Sequence, residues 1–191
     1  DGGCEEGVSY WDCAGASFFE SLYFMQFAPK QVVLTLTDAQ KKKVENMGRF
    51  ITTMYINDLT FVNFSDAQAQ NVPNINILFP YGAYLQNLQM MQLAAYVGKK
   101  YQYSLKPSTL FLKSGNYPKL GRELMLLSML PKYQETAAVE PKTEDAYLEN
   151  SQIMVASNKN WFVAAKGGNN AESHNQSTRS EERRVGKECR S

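Results

Sequence analysis

The apolar residues of this chain change period along its length, from helical spacing early on to strict alternation near the end. Over residues 10–27, Phe18, Leu22 and Met25 recur at helical spacing, and Phe19, Tyr23 and Phe27 form a second such row. Two rows give wide apolar coverage and predict a largely buried helix. Ser9 is placed to cap it, Asp12 to complement the positive end of its dipole, and Pro29 to end it. A second helix opens at Thr37, where T-D-A-Q has capping-box spacing with Gln40. It turns Val44, Met47, Phe50 and Ile51 inward and leaves Lys41, Lys42 and Lys43 on a solvated face. Residues 60–64 alternate as a short strand or extended loop that ends at Ser65-Asp66. Further helices are expected over 85–97 and 119–130, between turn-rich connections containing Pro107, Gly115 and Pro118.

The character changes near Gln134. Residues 134–146 are rich in Glu, Thr, Lys and Ala and read as a linker. Beyond it, 152–156 and 160–166 alternate as two strands with a Ser157-Asn158 turn between them. Helices followed by strands in separate blocks predict an α+β chain or two domains.

Composition narrows the function classes. With 191 residues and a formal net charge of +1, the chain carries no field to recruit nucleic acid or an anionic membrane. No apolar run approaches the ~20 residues of a membrane-spanning helix, so no membrane insertion is expected. The C-terminal string R-S-E-E-R-R-V-G-K-E-C-R-S, 179–191, resembles a sequencing adapter translated in one frame, and 176–191 is set aside as an artefactual tail. The natural sequence is expected to end between Asn175 and Thr178. The string holds five basic residues (Arg179, Arg183, Arg184, Lys187, Arg190) and three acidic ones (Glu181, Glu182, Glu188), so without it the net charge moves from +1 to −1. Cys189 leaves with it. The remaining Cys4 and Cys13 match no zinc or C-x-x-C spacing, and both free thiols and a local disulfide fit the sequence.

Candidate chemistry sits at the two ends of the natural sequence. Residues 166–175 read K-G-G-N-N-A-E-S-H-N and hold the only histidine, His174. They follow the alternating 160–166 run, and Gly167-Gly168 lets the backbone turn sharply at the strand end. Taken alone, the stretch is a polar hairpin loop. Residues 1–12 read D-G-G-C-E-E-G-V-S-Y-W-D. This string resembles the D-G-x-x-x-E-G-x-x-Y-W motif of heparinase II/III-like polysaccharide lyases. The 166–175 stretch resembles the start of that family's second motif, which continues as His-x-His-x-Asp. Between them, N-D-L-T-F-V-N-F-S-D, 57–66, is similar to a weaker family segment ending in Asp.

The resemblance spans about residues 1–175 and implies an internal fragment of a longer enzyme. It implies the C-terminal helices of an incomplete α/α toroid over 1–133, a linker over 134–146, and the first strands of an antiparallel β-sandwich over 147–175. It also implies β-elimination on a uronate-containing anionic polysaccharide or oligosaccharide, of the glycosaminoglycan or alginate kind, by a periplasmic or secreted protein. In such a reaction the enzyme stabilises negative charge building on the uronate carboxylate, which suits Asn, His and Arg donors. A Tyr or His removes the C5 proton, and a Tyr can return a proton to the leaving oxygen. Matched by motif position, Tyr10 and His174 are the catalytic candidates, and Glu6, Trp11, Glu172 and Asn175 the substrate-binding ones. Trp11 offers an indole face for a sugar ring or for helix packing.

Two departures stand out. Cys13-Ala14 occupy the place where relatives carry a second tyrosine, and Gln176 and Thr178 stand where the second His and the Asp would be. One imidazole and an amide make no zinc site, so neither metal nor cofactor is expected in this chain. Two rival readings remain: a non-catalytic carbohydrate-binding relative, and a glycoside hydrolase on an α/α toroid. A hydrolase needs two carboxylates flanking the scissile bond, and the adjacent Glu5 and Glu6 cannot face each other across a sugar.

Overall fold

Helices and antiparallel sheets build the chain, making it α+β. The computed structural model describes residues 1–29, 35–101 and 120–168, with the backbone of 181–186. These residues fall into two compact units, Val72–Glu140 and a discontinuous one made of Asp1–Asn71 with Pro141–Ser191.

In the discontinuous unit, a 3-10 turn at Val8–Tyr10 precedes α1, Gly15–Met25. The helix starts later than the apolar spacing predicts, because the Trp11 side chain is drawn inward and its Nε1 donates to the Met47 carbonyl at 2.7 Å. Ser9 does not cap it; the Ser9 hydroxyl instead accepts from the Gln68 amide at 2.9 Å. Nor is α1 largely buried. Phe19 is enclosed, but Phe18, Phe24, Met25 and the following Phe27 are exposed. Periodicity marks which residues share a face, and whether that face is covered depends on what packs there.

The second helix, α2, Asp38–Thr53, follows the sequence expectation closely. Thr37 and Gln40 form the reciprocal cap: the Gln40 amide donates to the Thr37 hydroxyl at 3.3 Å, and the Thr37 amide donates to Gln40 Oε1 at 2.8 Å. Val44, Phe50 and Ile51 are buried, while Lys41 and Lys42 lie in the solvent paired with Asp38 and Glu45. The Lys42 ammonium bonded to Glu45, with Arg49 one turn further on, holds the Glu45 carboxyl below the usual range.

Strands β1, Tyr55–Asn57, and β2, Thr60–Phe61, form a hairpin with Asn57 opposite Thr60. Its two central residues, Asp58 and Leu59, both have positive φ, at 41° and 63°. That is the turn geometry whose twist matches the strands, and it is unusual for leucine. Leu59 tolerates it because its side chain is buried in the core.

The unit closes with a four-stranded antiparallel sheet in the order β3-β4-β5-β6: Ala146–Leu148, Ile153–Ser157, Trp161–Lys166 and Glu181–Gly186. β4 and β5 sit within a residue of the alternation that marks them. Ile153, Val155, Phe162 and Ala164 share the buried face, whereas Tyr147, Met154 and Trp161 are exposed. Asn158 makes the turn, its side-chain oxygen accepting from the Asn160 and Trp161 amides, both at 2.8 Å. β6 falls within the adapter-like string and pairs with β5 from Trp161–Gly186 to Lys166–Glu181. A backbone ladder takes any non-proline residue, so this pairing reflects strand geometry and not side-chain identity.

The stretch before β3 has no regular structure but is tied down. The Thr143 hydroxyl donates to the Tyr55 carbonyl. The Ser157 amide donates to Asp145 at 2.8 Å, and Arg49 lies 3.6 Å from Glu144.

The Val72–Glu140 unit is helical. α3, Ile75–Tyr84, falls in a stretch with no helical period, because eight successive residues from Ile75 to Gly82 are buried. A helix covered on every side shows no polar stripe to betray it. Asn74 caps it, accepting from the Asn76 amide at 3.0 Å. It packs against α4, Leu88–Lys100, and α5, Leu120–Ser128. α4 starts three residues later than the apolar pattern predicts, because Asn87 provides its cap by accepting from the Met90 amide at 3.0 Å. Pro131 has no N–H to continue α5, and a short α6, Leu130–Glu135, takes over. Tyr133 from α6 stacks edge-on against Phe79 at 5.1 Å. Burial, with the Tyr84 hydroxyl as a lesser influence, raises the Tyr81 phenol well above its ordinary range.

Candidate functional site

Three segments far apart in sequence meet in the discontinuous unit. The first is the 4–10 loop. Its turn is closed by the Gly7 amide donating to the Cys4 carbonyl at 3.0 Å. Gly7 has φ 90° and ψ −178°, a conformation open essentially to glycine alone. A Cβ at this position would lie 2.6 Å from the Phe64 carbonyl oxygen. The second segment is 62–68, which therefore lies directly against Gly7 and also binds Ser9 through the Gln68 amide.

The third segment is the end of β5. Lys166 donates from Nζ to the Ser65 hydroxyl at 3.3 Å, across 101 positions of sequence. Ser65 has φ 54°, a left-handed backbone uncommon for serine. Strained backbone at a junction of segments points toward function, since surrounding structure has to hold it in place. Neither Ser65 nor Lys166 stands out by composition; Lys166 is simply the first letter of the glycine-rich stretch. After it Gly168 has φ 135°, a backbone conformation that suits glycine.

The sequence-predicted residues fare differently. Tyr10 follows Ser9 at this junction and is 38% exposed. Glu6 is half-buried in the loop between Cys4 and Gly7. Trp11 is 2% exposed with its N–H taken by Met47, so its ring face is not presented to a sugar. It serves as the anchor between the first motif and α2. Glu172, His174 and Asn175 lie outside the described residues.

Cys4 and Cys13 are free thiols. Burial pushes the Cys4 thiol up, and the Glu6 and Glu5 charges add to this, against a partial offset from the Glu6 and Gly7 amides. A thiol held protonated is a poor nucleophile, so Cys4 acts in packing. Among the described residues no cluster of His, Cys, Asp and Glu is arranged to hold a metal ion, and no helix is long and apolar enough to cross a membrane.

Chemically, the junction offers a phenol able to exchange a proton and an ammonium able to pair with a carboxylate. No family model matches the chain, and no curated protein matches its sequence.

Proposed function

We propose that this chain is part of a heparinase II/III-like polysaccharide lyase, with toroid helices followed by the opening strands of a β-sandwich. It acts on a uronate-containing anionic polysaccharide by β-elimination, in the periplasm or outside the cell. One observation supports the reading: Gly7 of the 1–12 motif abuts Phe64 of the 57–66 segment, and Lys166, the first residue of the 166–175 stretch, binds Ser65 of the same segment.

In this reading Tyr10 and His174 exchange protons with the sugar, and Glu6, Glu172 and Asn175 bind its hydroxyl and carboxylate groups. Trp11 anchors the motif to the second helix through the Met47 carbonyl, since its ring is enclosed. A separate reading, a carbohydrate-binding relative without turnover, draws on Cys13, which is exposed where relatives carry a second tyrosine. The deciding assay is ultraviolet detection of unsaturated uronate from alginate and glycosaminoglycans, using the full open reading frame that contains this chain. Cleavage lost in both Tyr10→Phe and His174→Ala supports the lyase. Tight binding without unsaturated product, unchanged by His174→Ala, supports the binding relative, and reducing ends without unsaturation support a hydrolase.

A further inference from the structure

The first residue of the chain is linked to the far end of the sheet by a continuous run of hydrogen bonds. The Asp1 carboxylate accepts from the Ser151 amide at 2.8 Å and from the Ser151 hydroxyl at 3.2 Å, 150 positions away. It also accepts from the Gly3 amide at 2.9 Å, which folds the loop back on itself. Ser151 is buried and sits in the turn between β3 and β4. The next residue, Gln152, has φ 50°, and its carbonyl accepts from the Gly167 amide at 2.8 Å. That bond extends the β4–β5 ladder one step beyond its last pair, Ile153–Lys166. Gly167 opens the glycine-rich stretch immediately after Lys166, the residue that binds Ser65.

Steric fit reinforces the link. A Cβ on Gly3 would collide with the Ser151 hydroxyl, so this position must stay bare for Asp1 to reach the turn. A Cβ on Gly167 would meet Gln152 Oε1 at 2.8 Å. A carboxylate satisfied by three donors in a half-buried position is a strong, directional clamp, because charge-assisted bonds are about twice as strong as neutral ones.

We infer that Asp1 is a positioning residue: through Ser151 and Gln152 it sets where β5 ends and hence where Lys166 and Gly167 stand. This role rests on the polysaccharide reading for its purpose, though not for its geometry. A left-handed residue such as Gln152 holds its conformation only while both neighbours fix it. With Asp1 removed, the Ser151 amide loses its acceptor, the turn loosens, and the Gly167 amide opens to solvent.

Amide hydrogen exchange on the full 191-residue chain tests the link, with sodium alginate binding measured on the same samples. Asp1→Ala is expected to speed exchange at Ser151 and Gly167 about tenfold or more, and at Val155 and Ala164 in mid-ladder much less. Asp1→Glu, which keeps the charge, should recover part of the protection. Thr37→Ala, a comparable perturbation at the α2 cap, should leave Gly167 unchanged relative to the ladder. Unchanged exchange at Gly167, or equal acceleration along all of β4 and β5, overturns the positioning role. With Gly167 loosened, alginate affinity should fall about tenfold; unchanged affinity overturns the role at the site. If the unaltered chain binds neither alginate nor a glycosaminoglycan while Gly167 still responds to Asp1, the polysaccharide reading fails for this chain and the clamp stands.

Discussion

Both compact units have a buried apolar core, and they differ in the long-range polar bonds that supplement it. Val72–Glu140 is helix against helix, and the centre of α3 is sealed on all sides, with Ile77, Leu78, Phe79 and Tyr81 fully enclosed. Most of its contacts join elements that follow one another, so it depends on apolar area and the fit of side chains. The other unit brings residues 1–71 together with 141–191 around an apolar core of its own, including Phe50, Ile51, Phe61 and Phe162, and adds polar bonds across long sequence separations: Asp1 to Ser151, Ser65 to Lys166, Tyr55 to Thr143. Directional bonds of this kind fix a few atoms in place, which suits a site; diffuse apolar burial fixes a shape, which suits a scaffold. Candidate chemistry accordingly collects in the discontinuous unit.

Substitutions sharpen this contrast. The largest effect is expected in the helical unit, where Phe79→Ala opens a cavity beneath Tyr133 and removes roughly 3–5 kcal/mol, read by chemical unfolding. In the discontinuous unit, Gly7→Ala forces a side chain into a glycine-only backbone conformation against Phe64. The strain alone is about 1–3 kcal/mol, and the junction at Ser65 should move with it, visible as shifted Lys166 and Ser65 resonances. If Gly7→Ala leaves stability unchanged, the packing of the 4–10 loop on 62–68 is wrong.

Trp11→Phe keeps most of the apolar area but removes the indole hydrogen bond to the Met47 carbonyl, a loss of about 0.5–1.5 kcal/mol in thermal unfolding. Thr37→Ala removes an exposed cap and should lower stability by roughly 1 kcal/mol, with no effect on sugar binding. The smallest effect at neutral pH belongs to Tyr81. Its phenol is held protonated in the fold, so the folded-state pKa lies above that of the unfolded chain. Stability from this source is complete below about pH 10, the ordinary tyrosine value, and falls as pH rises beyond it because the unfolded chain ionises first. Tyr81→Phe should flatten that alkaline decline, and an unchanged slope would assign it to other groups.

Much of the local structure was legible in advance. T-D-A-Q names the start of α2 because a reciprocal cap needs only residues three apart. Alternation in 152–156 and 160–166 names β4, β5 and their inner face, since a pleat turns every second side chain the same way. The helix α3 escaped because complete burial erases periodicity, and the exposure of α1 escaped because two apolar rows look alike whether covered or bare. Of the candidate site, the Ser65–Lys166 contact was not readable, since neither residue type signals anything until the backbone brings them to 3.3 Å.

What the sequence determined by itself, then, is everything governed by neighbours within a few positions: the α2 cap, the β4–β5 hairpin with its Asn158 turn, and the α+β class. What only the tertiary structure decided is everything that depends on a partner far along the chain. Trp11 became an anchor instead of a sugar platform because a carbonyl of α2 stands 2.7 Å from its nitrogen. Asp1 became a clamp because residue 151 returns to it. Spacing along a chain dictates periodicity and capping, but it carries no information about which distant group will arrive to accept a hydrogen bond.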